Sequence, residues 1–202
     1  DDTLLAAAEA GELVDDAALE AHVRRMLDDP RAREGVRAFF TEVFELDRLS
    51  KLLKDPEVFV HIDGDVGPSA REETLLTLEQ NIFEEEGDYR DVFTTRTTFL
   101  NRKMASIYSV PTPTRDGFAA YTFPDDSPRA GILTQASFLA LHSHDTATSA
   151  TLRGKFVRVN LLCGSIPPPP ADVDTSIPAP SVTATTLRER LAEHRENPVC
   201  AS

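Results

Sequence analysis

Few of the features that commit a sequence to a chemistry occur in this one. Its two cysteines, Cys163 and Cys200, are too few for a disulfide framework and leave the redox compartment open. No apolar run approaches the roughly 20 residues that a membrane-spanning helix needs, and a run such as Phe138 to Leu141 is core-sized. Basic residues are scarce: 21 Lys and Arg stand against 34 Asp and Glu, a formal charge of −13. That balance argues against duplex DNA or RNA as a main partner, because phosphate binding draws on clustered cations. It reads first as solubility, and second as attraction for a basic partner or a cation. The Gly-x-Ser-x-Gly elbow, the phosphate-binding glycine loop, the dinucleotide fingerprint and His-Glu-x-x-His are all missing. Isolated acidic residues are plentiful, but none is singled out as a general acid or base, so no hydrolase case can be built. Asp1-Asp2 opens directly into Thr3-Leu4-Leu5 with no secretory leader or initiating methionine, as expected of a processed or truncated chain.

What is present is a globular composition. Hydrophobic residues make up 41% and charged residues 27% of 202 residues, enough for one substantial core or two small ones and unlike a disordered chain. Asp15 or Asp16 can cap a helix whose apolar positions Leu19, Val23, Met26 and Leu27 recur at helical spacing. Pro30 closes that helix and can open the next. There Ala32, Val36, Phe39, Phe40, Val43 and Phe44 form the strongest amphipathic stripe, expected in the core. Ser69-Ala70-Arg71-Glu72 has capping-box spacing ahead of a helix carrying Leu75, Leu78, Ile82 and Phe83. A short segment around Tyr89, Val92 and Phe93 leads to a helix with Leu100, Met104, Ile107 and Tyr108 on one side.

Residues 109–131 hold four prolines and two glycines and read as a long connection, with one extended piece at Ala119 to Phe123. Beyond it, Leu133 to Leu141 reads as a short helix, and Thr148 or Ser149 caps another with Leu152, Phe156, Val159 and Cys163 at helical spacing. Pro167 to Pro170 imposes extended geometry and reads as a stiff spacer ahead of a final helix with Leu187, Leu191 and His194. The expected fold is all-α: an irregular helical bundle of two packed subdomains, 1–108 and 132–202, joined by 109–131, with a proline-rich segment at 167–180 on the surface.

Three clusters invite chemistry. In His142-Ser143-His144-Asp145 the two histidines could share a metal on an extended strand, but on a helix they point roughly 200° apart. At a predicted helix end they read instead as partners of the last carbonyls. Cys163, on an apolar face at a predicted helix end, reads as a buried thiol or a half-disulfide rather than a nucleophile. Asp63-Gly64-Asp65 offers two carboxylates without the rest of a calcium loop and reads as a solvated turn.

Several segments, taken in order, resemble one family. They are Thr98-Phe99-Leu100-Asn101, Gly131-Ile132-Leu133-Thr134-Gln135-Ala136-Ser137, and Thr148-Ser149 leading to Leu152-Arg153-Gly154-Lys155. Pro167 to Pro170, Leu187-Arg188-Glu189-Arg190 and Asn197-Pro198-Val199-Cys200-Ala201-Ser202 continue the series. Together they are similar to paired domains of unknown function found beside planctomycete-type cytochrome c modules in large exported bacterial proteins. The resemblance implies an exported (periplasmic or extracellular) protein in an electron-transfer or oxidoreduction setting. It implies that Cys200 is the first cysteine of a Cys-x-x-Cys-His haem-attachment sequence completed past Ser202, and that the chain lacks family sequence at both ends. A haem c then belongs to the intact parent and not to these residues alone, with His144 as the candidate second axial ligand. The different class of reading is a non-catalytic scaffold or interaction module. Either way the expected partners are neighbouring domains of the same parent chain or a partner protein, with no nucleic acid and no membrane span.

Overall fold

A computed structural model describes residues 1–85, 87–168, 181–182 and 184–196. They group into two compact units, Asp1–Leu141 and His142–Ser202.

In the first unit the chain begins with α1 (Asp2–Glu9), α2 (Asp16–Leu27) and α3 (Arg31–Val43). Asp15 starts α2 by accepting a hydrogen bond from the Ala18 amide at 2.8 Å, which satisfies one free donor of the first turn. Asp29 does the same for the Arg31 amide at 2.9 Å ahead of α3. The aromatic stripe of α3 divides: Phe40 and Phe44 are buried and their rings stack at 6.0 Å, whereas Phe39 is 60% exposed. No residue of α2 is buried, so the apolar face expected on that helix is not covered within this unit.

A 3-10 turn at Leu46–Lys51 then buries Leu46 and Leu49 and leads to the central helix α4 (Val66–Glu79). Helix α4 begins three residues before Ser69, so that serine lies within the first turns and not at the cap. Its hydroxyl instead accepts from the Asn101 side chain at 2.9 Å. The close fit of α4 on the preceding turn depends on Gly67, because a Cβ there would lie 2.0 Å from the Leu49 carbonyl oxygen. A π-helical turn at Gln80–Glu84 and a 3-10 turn at Tyr89–Phe93 follow.

The all-α expectation is overturned at this point. Thr97–Leu100 (β1) pairs antiparallel with Ala119–Thr122 (β2), with Thr98 opposite Tyr121 and Leu100 opposite Ala119. The molecule is therefore mostly helical with a two-stranded sheet. The physical reason lies in Thr97-Thr98-Phe99-Leu100, whose β-branched and aromatic side chains favour a pleated strand over a helical turn. Alternation then buries Thr98 and Leu100 while Thr97 and Phe99 are less buried. Helix α5 (Arg102–Tyr108) starts at Asn101, whose side chain accepts from the Met104 amide at 2.9 Å. Beyond β2, a 3-10 turn at Ile132–Thr134 leads into α6 (Ala136–Leu141). Leu75 and Leu78 of α4, Val92, Leu100, Met104 and Ile132 form the centre of this core, each 2% exposed or less.

The second unit contains α7 (Ala150–Phe156), capped by the Ser149 hydroxyl at 3.2 Å from the Leu152 amide. A π-helical turn at Val157–Leu161 and helix α8 (Leu187–Glu196) complete what is described there. Residues 169–180 of the proline-rich segment, the side chain of His194, and Asn197 to Ser202 with Cys200 lie outside the described residues.

Candidate functional site

The chemistry-bearing cluster of the first unit forms around Glu73. Ala70, Glu73, Thr74, Thr77 and Leu78 fall at successive helical spacings on α4, and all are 3% exposed or less. Glu73 itself is 0% exposed. Three other segments bring polar groups to this face: β1 supplies Thr98, the end of α5 supplies Tyr108, and Gln135 with the first residues of α6, Ala136 and Ser137, supplies the rest. The approach to α6 is fixed by Gly131, whose amide donates to the Thr95 carbonyl at 2.7 Å, and by Thr134, whose hydroxyl accepts from the Ala130 amide at 3.0 Å.

The resulting network is continuous. Thr98 donates to Glu73 Oε1 at 2.7 Å, and the Tyr108 hydroxyl lies 2.8 Å from each carboxyl oxygen. Tyr108 in turn accepts from the Ala136 amide at 2.7 Å. Gln135 Nε2 donates to Thr77 at 2.9 Å and to Thr98 at 3.1 Å, and its Oε1 accepts from Thr74 at 2.8 Å. Ser137 and Thr74 share a 2.6 Å contact. Arg129 lies over the Tyr108 ring, 4.5 Å from its centroid, and its Nη1 donates to the Thr134 carbonyl at 2.8 Å.

Burial raises the Glu73 carboxyl to about 7, against the opposing pulls of Thr98, Tyr108 and Arg129. Burial, and then the adjacent Glu73, push the Tyr108 phenol well above its ordinary value. The crevice beside Tyr108, Phe123 and Gly131 has a volume of about 10 Å³, room for one water at most. The cluster can therefore hold a proton, but this crevice has no room for a substrate.

A second feature is an open groove of about 600 Å³ between α2 and α3, lined by Val23, Met26, Leu27, Val36 and Phe39. Its lining also includes Asp1, which pairs with Arg25 at 2.8 Å, and Asp29, which pairs with Arg31 at 2.6 Å.

The residues singled out from sequence fall elsewhere. His144 is exposed in a turn closed by the Ser143–Thr148 bridge, its amide donating to the Ala147 carbonyl at 2.8 Å. His142 is buried, with its ring 4.4 Å from that of Phe156, so the two histidines face different surroundings. Cys163 is exposed, contrary to the expectation of a buried thiol. The helix has ended before it, and its φ of 51° turns the chain into the left-handed region. Asp63 is held by Lys103, which lowers its carboxyl below the usual range. Among the described residues no group of three or more His, Cys, Asp or Glu is placed to hold a metal ion, and no helix is long and apolar enough to cross a membrane. Neither Cys163 nor Cys200 lies in a complete Cys-x-x-Cys-His sequence within these 202 residues.

Sequence reasoning missed Glu73, Thr98, Gln135 and Arg129 as one cluster. The available signal was a carboxylate between Ala70 and Thr77 on the same helical face as Leu78, a position where a solvated glutamate is not expected.

Residues 1–110 match a family described as PSD4, protein of unknown function (DUF1592), and residues 129–202 match PSCyt3, protein of unknown function (DUF1588). The two names point to an association with planctomycete cytochrome c domains. No curated protein and no solved structure matches the chain.

Proposed function

From the premise that this chain belongs to the PSD4 family of proteins of unknown function (DUF1592), we propose that it is part of an exported, c-type-cytochrome-associated protein that takes part in electron transfer or oxidoreduction. The observation that carries this reading is the PSCyt3 match over residues 129–202, which extends through Cys200. Cys200 is proposed as the first thiol of a haem-attachment sequence, and His144, exposed in its turn, as the second axial ligand. Haem, when bound, supplies the one-electron chemistry. The role of the helices described above is to present their surfaces to that module.

The test uses the intact gene product, expressed in a host that matures c-type cytochromes. The expected product carries a Soret band and haem that survives denaturation, and Cys200→Ala abolishes the covalent attachment. A folded, exported product without haem, beside a control cytochrome that matures normally, would overturn the proposal.

The apolar groove between α2 and α3 favours a second reading, a non-catalytic module that packs against a neighbouring domain of the same parent chain. Hydrogen exchange distinguishes this case: Val23 to Phe39 should be better protected in the parent protein than in the isolated chain. Equal protection in both would exclude it.

A further inference from the structure

The contacts of Glu73 require a count of protons. Both of its oxygens lie 2.8 Å from the same phenol oxygen, Tyr108 Oη. Tyr108 has one proton to give, and a single proton shared between two acceptors makes two bent, weak bonds. The other partner of the Glu73 carboxyl is the Thr98 hydroxyl, no cation among the described residues hydrogen-bonds to it, and the side chain is 0% exposed, so the neutral acid is favoured over a charge buried without a counter-ion. Tyr108 donates toward the carboxyl, and Oε1 accepts from Thr98 at 2.7 Å. Tyr108 Oη also accepts from the Ala136 amide, which ties the carboxyl to the start of α6.

The rest of the network fixes the carboxyl in place. Thr98 accepts from Gln135 and so directs its own proton to Glu73, and Gln135 is fixed by Thr77 and Thr74.

We propose that Glu73 is a proton-operated lock: the protonated side chain joins α4, β1, α5 and the start of α6, and loss of its proton loosens that junction.

The surrounding charges leave this role to Glu73. On α3, Arg37 is held by Glu72 and Glu79, and Arg33 by Glu84 of the π-helical turn. In the 3-10 turn packed on α4, Arg48 pairs with Glu45, and Asp47 faces Arg71 of α4 itself. Lys51 and, on α5, Arg102 are exposed, and Lys103 pairs with Asp63. Neither β1 nor α6 carries a charged side chain. Tyr108 and Arg129 are the titratable groups that act on Glu73, and Arg129 directs its hydrogen bond to Thr134.

The sign follows from proton uptake. Burial raises the carboxyl from 4.5 to about 7, so between those values the folded chain holds a proton that the unfolded chain has released. The stabilisation is complete below about 4.5 and is lost as pH rises through about 7. Across that window the unfolding equilibrium constant should rise by roughly a few hundred-fold from this group alone.

Two measurements test the lock. Infrared spectra of the folded wild-type chain at pH 6 should show the carbonyl stretch of a protonated carboxylic acid, lost on raising the pH to 9 and absent in Glu73→Gln. A native chain without that band at pH 6 overturns the proposal, whether or not any variant folds. Hydrogen exchange at the Ala136 amide, corrected for its intrinsic pH dependence, should lose protection in the wild type as the carboxyl ionises and stay level in Glu73→Gln, whose amide reproduces the donor and acceptor pattern of the acid. Unchanged protection in the wild type across the same range would refute the loosening.

Discussion

Gly131 offers a severe test of how the Glu73 cluster is assembled. Its backbone has φ 67° and ψ 167°, a region that is essentially glycine's own. A Cβ added there would lie 2.0 Å from the Phe93 carbonyl oxygen and 2.2 Å from its carbon, with backbone on both sides of the contact. Gly117 supplies the control: its φ is also 67°, but a Cβ would meet nothing within 4 Å. Gly117→Ala therefore carries backbone strain alone, about 1–2 kcal/mol. Gly131→Ala carries about 1–3 kcal/mol of strain, plus about 1–3 kcal/mol for forcing two backbone segments apart. The sum of about 2–6 kcal/mol is a large part of the roughly 5–15 kcal/mol that holds a domain folded. Urea unfolding followed by circular dichroism reads the difference. Gly131→Ala should lose about 2 kcal/mol more than Gly117→Ala. Equal losses would show that the approach to α6 does not depend on this close passage, and that the placement of Gln135 and Ala136 has another cause.

Three further outcomes follow from the packing. Leu75→Ala, at a 1% exposed position on α4, should cost about 2–5 kcal/mol in unfolding free energy. Arg96→Ala should cost about 2 kcal/mol, because its guanidinium donates to the carbonyls of Pro124, Asp125, Ser127 and Arg129; limited proteolysis should then cut faster within 124–129. Asp15→Ala should cost about 1 kcal/mol and raise amide exchange in the first turn of α2, since it removes the bond to the Ala18 amide.

Helices were legible in the sequence where a cap and a stripe agreed, as at Asp15 for α2 and Ser149 for α7. The extended piece read at Ala119 to Phe123 is β2, at Ala119–Thr122. Its partner was not legible. Thr97-Thr98-Phe99-Leu100 lies directly before a capped helix, and Leu100 shares helical spacing with Met104 and Tyr108, so a helical period extends back over a strand. The stripe on α3 was legible as amphipathic, but not the division that buries Phe40 and Phe44 and exposes Phe39. That division depends on which neighbours the other elements supply, and periodicity along one helix cannot encode it. The cysteine at position 163 illustrates the same limit. A π-helical turn and a positive φ shift the register that would have kept the thiol on the apolar face.

The Glu73 cluster escaped for a related reason, and its partners explain what it does for the fold. Its members come from α4, β1, α5 and Gln135 with the start of α6, so no local pattern contains it. Their hydrogen bonds are directional, and the pairing of β1 with β2 has to be right by one residue for them to form. A slip of one position would turn Thr97 and Phe99 inward, remove the Thr98 donor from Glu73 and leave a buried carboxyl short of a partner. Apolar packing alone discriminates weakly in so short a strand, because Phe99 could fill the space that Leu100 leaves. An unpartnered acid at a 0% exposed position could not be accommodated in that way. The carboxyl that looks out of place on an apolar helical face thus selects the register of the only sheet among the described residues. The fold's specificity at this junction comes from the polar members of its core, and its bulk stability from Leu75, Leu78, Met104 and Ile132 around them.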